Sequence, residues 1–202
     1  ATRQLKKTKT VYSVADEVEL SLQGFIAFLD PPKQTATDAL ARLEAHGVEI
    51  KIITGDNELV TERIASEIKL PVKGTMKGQE IVNLSDEALK EAVEKTTIFA
   101  RVTPDQKERL IRTIKSNGHV VGYLGDGIND APSLRAADIG ISVDNAVDVA
   151  KESADFILLK KSLGVLIDGV IEGRKIFANT LKYLMMTLSS NFGNMFSVAI
   201  AS

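Results

Sequence analysis

Gly125-Asp126-Gly127-Ile128-Asn129-Asp130-Ala131-Pro132-Ser133-Leu134 follows directly on the run Val120-Val121-Gly122-Tyr123-Leu124. A short apolar run broken by Gly-Asp-Gly reads as a buried strand that ends in a tight turn, and residues 131–137 read as the helix that follows. Within five positions the turn carries two carboxylates and an amide, Asp126, Asn129 and Asp130. Magnesium takes hard oxygen ligands and is usually held by one or two carboxylates together with phosphate oxygens. Glycine lets the backbone come close to a phosphoryl group, and a helix start adds amide donors. A plain Asp-Gly turn explains Asp126 and Gly127 but not the whole run.

Working outward, the same strand-then-helix unit recurs. Residues 97–100 form a predicted strand and 104–116 a helix. Residues 48–53 form a strand that ends in Thr54-Gly55-Asp56-Asn57, and the helix over 59–68 sets Val60, Ile64 and Ile68 on one face. Helical spacing of Ala36, Ala39, Leu40 and Leu43 predicts a helix over 35–46, closed by Gly47. Before it, residues 24–29 form a strand stopped by Asp30-Pro31-Pro32, since two prolines remove backbone donors. Strands at 139–143 and 156–159 complete the pattern. Val11, Val14, Val18 and Leu20 mark an alternating stretch within the first 22 residues. The fold class is therefore α/β, a Rossmann-like parallel sheet covered on both faces. Right-handed crossovers bring Asp30, Thr54 and Asp126 to one sheet edge, where such sheets bind ligands.

The bulk properties set limits. At 202 residues the chain can bury a core without staples. With 25 Lys and Arg against 27 Asp and Glu, the charge balance gives no basis for a nucleic-acid partner. The absence of cysteine excludes disulfides, thiolate metal sites and a cysteine nucleophile. The N-terminus has no apolar core of a signal peptide and no methionine, which points to a piece of a longer protein.

Three further residues bear on chemistry. A threonine at a strand end, Thr54, has a hydroxyl that can donate to a phosphoryl oxygen, and Gly55 permits the turn after it. A helix cap explains Thr54 as well when it is taken alone. Lys107 lies in the first turn of a predicted helix, where it can neutralise phosphate charge. Beyond Leu163 the pattern becomes one long helix. From Tyr183 to Ser202 no ionisable side chain occurs except that tyrosine, about the ~20 residues that cross a bilayer. Ser189, Ser190, Asn191, Asn194 and Ser197 interrupt that run, and a buried amphipathic helix is the other reading.

The order Asp30, Thr54, Lys107, Asp126 and Asp130 resembles the haloacid dehalogenase superfamily. Thr54-Gly55-Asp56 followed by Gly125-Asp126-Gly127-Ile128-Asn129-Asp130-Ala131-Pro132 resembles its P-type ATPase branch, and Phe28-Leu29-Asp30-Pro31-Pro32-Lys33 is similar to the hinge of these pumps. Ser189-Ser190-Asn191-Phe192-Gly193-Asn194 is similar to the fifth membrane helix of the magnesium importers. The resemblance implies that residues 1–22 are the tail of a nucleotide-binding domain, 23–165 a phosphorylation domain, and 166–202 a stalk and the start of a transmembrane helix. It implies magnesium and ATP as cofactors, and contacts to the phosphoryl group from Thr54, Gly55, Lys107 and Asn129. Asp126 and Asp130 would form the metal site, with Gly127 in the phosphate turn. Asp30 and Asp56 would lie near the hinge and the ribose, and Asn191 and Asn194 along the ion path. The implied partners are the remainder of the transporter and, through the last helix, the lipid bilayer. The implied location is the cell membrane, with the α/β domain on the cytoplasmic side.

One element of that family is missing from the sequence. The Asp-Lys-Thr-Gly-Thr segment whose aspartate attacks ATP occurs nowhere in the chain, so the chain alone is expected to be inactive. Two other readings stay open. A stand-alone phosphatase would use Asp30, although Pro31 and Pro32 remove amides that would cradle phosphate. A non-catalytic module would use the sheet and the apolar helix for association only.

Overall fold

The computed structural model describes residues 2, 11–25, 34–160 and 162–201. It divides into two compact units, Ala1–Pro31 and Pro32–Ser202. In the first, Thr2 and Ser21 form an antiparallel bridge, and a turn of 3-10 helix spans Val14–Asp16. The Ser13 amide donates to Asp16 Oδ2 at 3.0 Å and closes that turn. Most of the strand predicted at 24–29, and Asp30 with the two prolines after it, lie outside the described residues.

The second unit carries, in order, α1 (Gln34–Ala45), β1 (Ile52–Ile53), α2 (Glu58–Glu67), β2 (Thr75–Lys77), α3 (Gly78–Val82) and α4 (Asp86–Lys95). There follow β3 (Ile98–Ala100), α5 (Pro104–Ser116), β4 (Gly122–Leu124), α6 (Ala131–Ala136), β5 (Ile139–Val143), α7 (Asp148–Glu152), β6 (Phe156–Leu158) and α8 (Gly164–Ala201). Every strand pair is parallel, as the alternation of strands and helices predicts. Among the described residues the strands form two groups of three, ordered β1-β3-β2 and β4-β5-β6. Each group therefore ends on a strand that leads into a site loop, β1 into Thr54 and β4 into Gly125.

Helix α5 is the wall shared by both groups of strands. Thr103 starts it with a reciprocal cap, its hydroxyl accepting from the Gln106 amide while Gln106 Oε1 accepts from the Thr103 amide, and Pro104 fills the first helical position. Leu110 and Ile114 pack with Phe99, Ile81, Leu89 and Val93 on one side. Ile111 packs with Tyr123 and Leu134 on the other. Ile53 and Val121 touch both clusters, which links the two groups. Full burial of a side chain such as Phe99 contributes roughly 1.5–3 kcal/mol.

Gly47, two residues beyond the end of α1, has φ of +71°, a conformation that suits glycine. Ala39 and Leu43 of α1 pack on Ile167 of α8, with Val170 and Ile171 beside them. Arg174 Nη1 then donates to the His46 carbonyl at 2.5 Å, placing a cation at the end of α1. From Ile176 onward the described side chains of α8 are exposed. Among the described residues no helix is long and apolar enough to cross a membrane. The stretch expected as the start of a transmembrane helix forms the last turns of α8 and does not by itself reach that length and apolarity. The physical reason lies in the polar residues Thr187, Ser189, Ser190, Asn191, Asn194 and Ser197, which dilute the apolar run.

Candidate functional site

Thr54 leaves β1 with its amide donating to the Phe99 carbonyl at 2.9 Å, and its carbonyl accepts from the Val102 amide at 3.1 Å. The loop after β1 is thus clamped to the end of β3. The Thr54 hydroxyl donates to Asp56 Oδ2 at 3.0 Å and accepts from the Asp56 amide at 3.1 Å. Its one proton is already engaged, so donation to a phosphoryl oxygen requires that it leave Asp56. A Cβ at Gly55 would meet only the Val102 carbonyl, at 3.7 Å, so the turn does not sterically demand glycine there. Asn57 caps α2 by accepting from the Leu59 amide at 2.8 Å.

The same edge carries a second cluster. Glu58 pairs with Arg101 Nε at 2.6 Å and with Lys77 Nζ at 3.2 Å. The Arg101 hydrogen bond, with the Glu58 amide and Lys77, holds its carboxyl at about 2. Arg101 adopts φ of +52°, and its amide donates to the Asp56 carbonyl at 2.9 Å. This positive φ in a residue other than glycine is a strained conformation, set where β3 ends.

Across α5, Lys107 and Asp130 meet. Lys107 Nζ donates to Asp130 Oδ1 at 2.8 Å, and both side chains are 13% exposed. Tyr123 donates its hydroxyl to the same oxygen at 2.8 Å, while Asp130 Oδ2 accepts from the Gly127 amide at 3.2 Å. Burial alone would raise the Asp130 carboxyl, but the Lys107 and Tyr123 hydrogen bonds outweigh it and hold the group below the usual range. Burial first, then the neighbouring Asp130, push the Tyr123 phenol far above its ordinary value, so it stays a donor. A Cβ at Gly125 would fall 2.6 Å from Asp130 Cβ and 3.0 Å from Tyr123 Cε1. Glycine at 125 is what lets these groups close on one another.

Asp126 and Asn129 are exposed on the same turn. The Asp126 carbonyl accepts from the Val147 amide at 3.2 Å, which fixes the turn. Its carboxylate makes no hydrogen bond or ion pair with another described residue and opens on a cavity of about 210 Å³ bounded by Leu124, Val143, Asn145 and Leu158. A free, exposed carboxylate is a fitting ligand for a hard cation. Among the described residues, however, no three His, Cys, Asp or Glu side chains lie close enough to hold a metal by themselves. Asn191 and Asn194 are exposed on α8 and lie roughly 36 and 40 Å along it from Ile167, given a rise of about 1.5 Å per residue. The structure thus gathers Lys107, Asp130, Gly127 and Tyr123, and separately Thr54, Asp56 and Arg101. Tyr123, Arg101 and Glu58 were not marked by the sequence, because a tyrosine in a strand reads as core and the partners are far apart in the chain.

Parallel strands alternating with helices, packed on the two sides of α5 and carrying a charged turn after β4, define an α/β protein. The chain belongs to the haloacid dehalogenase-like hydrolases, whose pattern matches residues 2–138. It is 57% identical over all 202 residues to the "Magnesium-transporting ATPase, P-type 1" of Escherichia coli strain K12, and 56% identical to the protein of that name in Salmonella typhimurium strain 14028s. It is 39% identical over 86% of its length to a "Probable cation-transporting ATPase F" of Mycobacterium bovis. The chain spans 22% of the length of the first two relatives and 20% of the third. A solved structure described as conformational changes in the catalytic domain of the CPx-ATPase CopB-B upon nucleotide binding aligns with a TM-score of 0.52. That match covers 68% of this chain and 44% of the other, at 28% identity. The chain is therefore homologous along its full length to magnesium-transporting P-type ATPases.

Proposed function

We propose that this chain supplies the magnesium-binding and phosphoryl-stabilising half of an aspartyl-phosphate site in an ATP-driven cation transporter of the membrane, with magnesium as the ion moved. The observation that carries this reading is the Lys107–Asp130 pair, held beside the exposed carboxylate of Asp126. Asp126 binds the metal, with Asp130 supporting it through the shared turn. Magnesium, when bound with ATP, neutralises charge on the phosphate oxygens. Lys107 adds a fixed positive charge at the transferring group, Thr54 and Asn129 orient its oxygens, and the Gly125–Gly127 backbone leaves room for it.

The attacking aspartate is absent from this sequence, so the remainder of the transporter provides it and this chain alone does not turn over. The sheet edges support that division. Ile52 and Thr54 donate to β3, so the Ile53 amide between them faces the other way. Gly125 donates to Ile141, so the Leu124 amide likewise faces away from β5. An added strand ending in aspartate would find backbone partners on both β1 and β4, with Thr54 and Asp126 flanking its end. Asp56 sits near the nucleotide, and Asp30 near the hinge. Asn191 and Asn194 lie toward the ion path.

The test is binding of inorganic phosphate in the presence of magnesium, by calorimetry. Asp126→Asn is expected to abolish the magnesium dependence and Lys107→Met to weaken phosphate at least tenfold. Unchanged binding in both variants overturns the reading. Phosphatase activity of the chain that disappears in Asp30→Asn would favour a stand-alone enzyme instead.

A further inference from the structure

The Tyr123 hydroxyl has no role in the function proposed above, yet it is placed on the group that holds Lys107. Tyr123 is 9% exposed and packs with Ile111 and Leu134, so its ring is fixed by the core. Its hydroxyl lies 2.8 Å from Asp130 Oδ1, the oxygen that receives Lys107 Nζ at 2.8 Å. The other oxygen is tied to the Gly127 amide at 3.2 Å. The Asp130 carboxylate therefore has a donor from each of three elements: β4, α5 and the turn after β4. A carboxylate with one such tether rotates about χ2, whereas three donors leave one orientation.

We propose that Tyr123 is a positioning residue, which fixes the Asp130 carboxylate and through it holds the Lys107 ammonium at the edge of the phosphoryl site. This rests on the reading of Lys107 given above, and it adds a residue that touches neither phosphate nor metal. Tyr123 sets where the charge sits. Without its hydroxyl, Asp130 Oδ1 has only the flexible lysine as partner, and the lysine can follow the carboxylate as it rotates. The ring remains in Tyr123→Phe, so the packing on Ile111 and Leu134 is kept.

The experiment uses the full chain in wild-type, Tyr123→Phe, Lys107→Met and double-variant forms. The first readout is the proton–nitrogen NMR signal of the Lys107 ammonium, which is visible when Asp130 protects it from exchange with water. It is expected in the wild type and is expected to broaden or vanish in Tyr123→Phe, while backbone amides away from the turn keep their shifts. An unchanged ammonium signal in Tyr123→Phe overturns the proposal. The second readout is binding of inorganic phosphate with magnesium. Tyr123→Phe is expected to weaken it roughly three- to tenfold, and to have no further effect in the Lys107→Met background, because the hydroxyl acts only through the lysine. Additive losses overturn the proposal, since a structural role would add. A changed ammonium signal with phosphate binding unaltered in Lys107→Met supports the clamp and overturns the phosphoryl-site reading, so the two failures are distinct.

Discussion

Lys107 and Asp130 stand 23 positions apart in the chain, yet Nζ and Oδ1 meet at 2.8 Å with 13% of each side chain exposed. Removing one partner strands the other in a mostly buried place. Lys107→Met is expected to cost about 2 kcal/mol, measured by urea unfolding, because the Asp130 charge loses its cation while keeping two neutral donors. A change in unfolding midpoint within error would show that the pair contributes nothing to stability.

Glu58 gives the clearest pH dependence. Its folded value of about 2 lies below the ordinary 4.5. A depressed carboxyl stabilises the fold above its unfolded value, and that contribution falls away as the pH drops from about 4.5 through about 2. A carbon-13 titration should place the Glu58 midpoint near 2, and Arg101→Gln should raise it toward 4.5. An ordinary midpoint in the wild type would contradict the Arg101 and Lys77 contacts.

Two glycine substitutions should act in opposite senses. Gly125→Ala drives a Cβ to 2.6 Å from Asp130 Cβ and 2.9 Å from Asp130 Cγ, so it should cost about 2 kcal/mol or more and displace Lys107. Gly169→Ala in exposed helix α8 meets nothing within 4 Å and should stabilise by up to about 1 kcal/mol. Thermal melts of the two variants check both signs.

The base of α8 rests on Ile167, which is 1% exposed against Ala39 and Leu43. Ile167→Ala should cost about 2–4 kcal/mol by opening a cavity there. Hydrogen exchange should then speed in α1 and in the first turns of α8, with β3 and α5 unaffected. Uniformly faster exchange throughout the chain would mean that this contact is part of one cooperative core.

Much of the fold was legible because its signals are local. Thr103, Pro104 and the spacing of Leu110, Ile111 and Ile114 mark α5 in sequence, and the break at Gly125 marks the end of β4. Residues 69–96 carry weaker local signals. There β2 has only three residues, Thr75, Met76 and Lys77, with no alternation to read. Helix α4 did carry a signal, since Ser85 caps it and Leu89 and Val93 fall four apart, both fully buried. Among the described residues β1 and β4 do not pair with each other, and no local pattern in either strand announces that. Of the site, the residue types at 54, 107, 126 and 130 were readable. Which of them touch was not, because the separation of 23 positions between Lys107 and Asp130 follows no periodic rule. At the end of α8 the absence of charge is easy to read, while six hydroxyls and amides lower the apolarity of the same stretch.

Helix α8 is seated at its base on α1, which gives it the mechanics of a pointer. From Ile167 to Ala201 it runs roughly 50 Å at about 1.5 Å per residue. A tilt of about 10° at the seat on Ala39 and Leu43 would therefore carry its far end through roughly 9 Å, given that length. Adjustments of less than a side chain's width among α1, Arg174 and His46 are enlarged several-fold at Ala201.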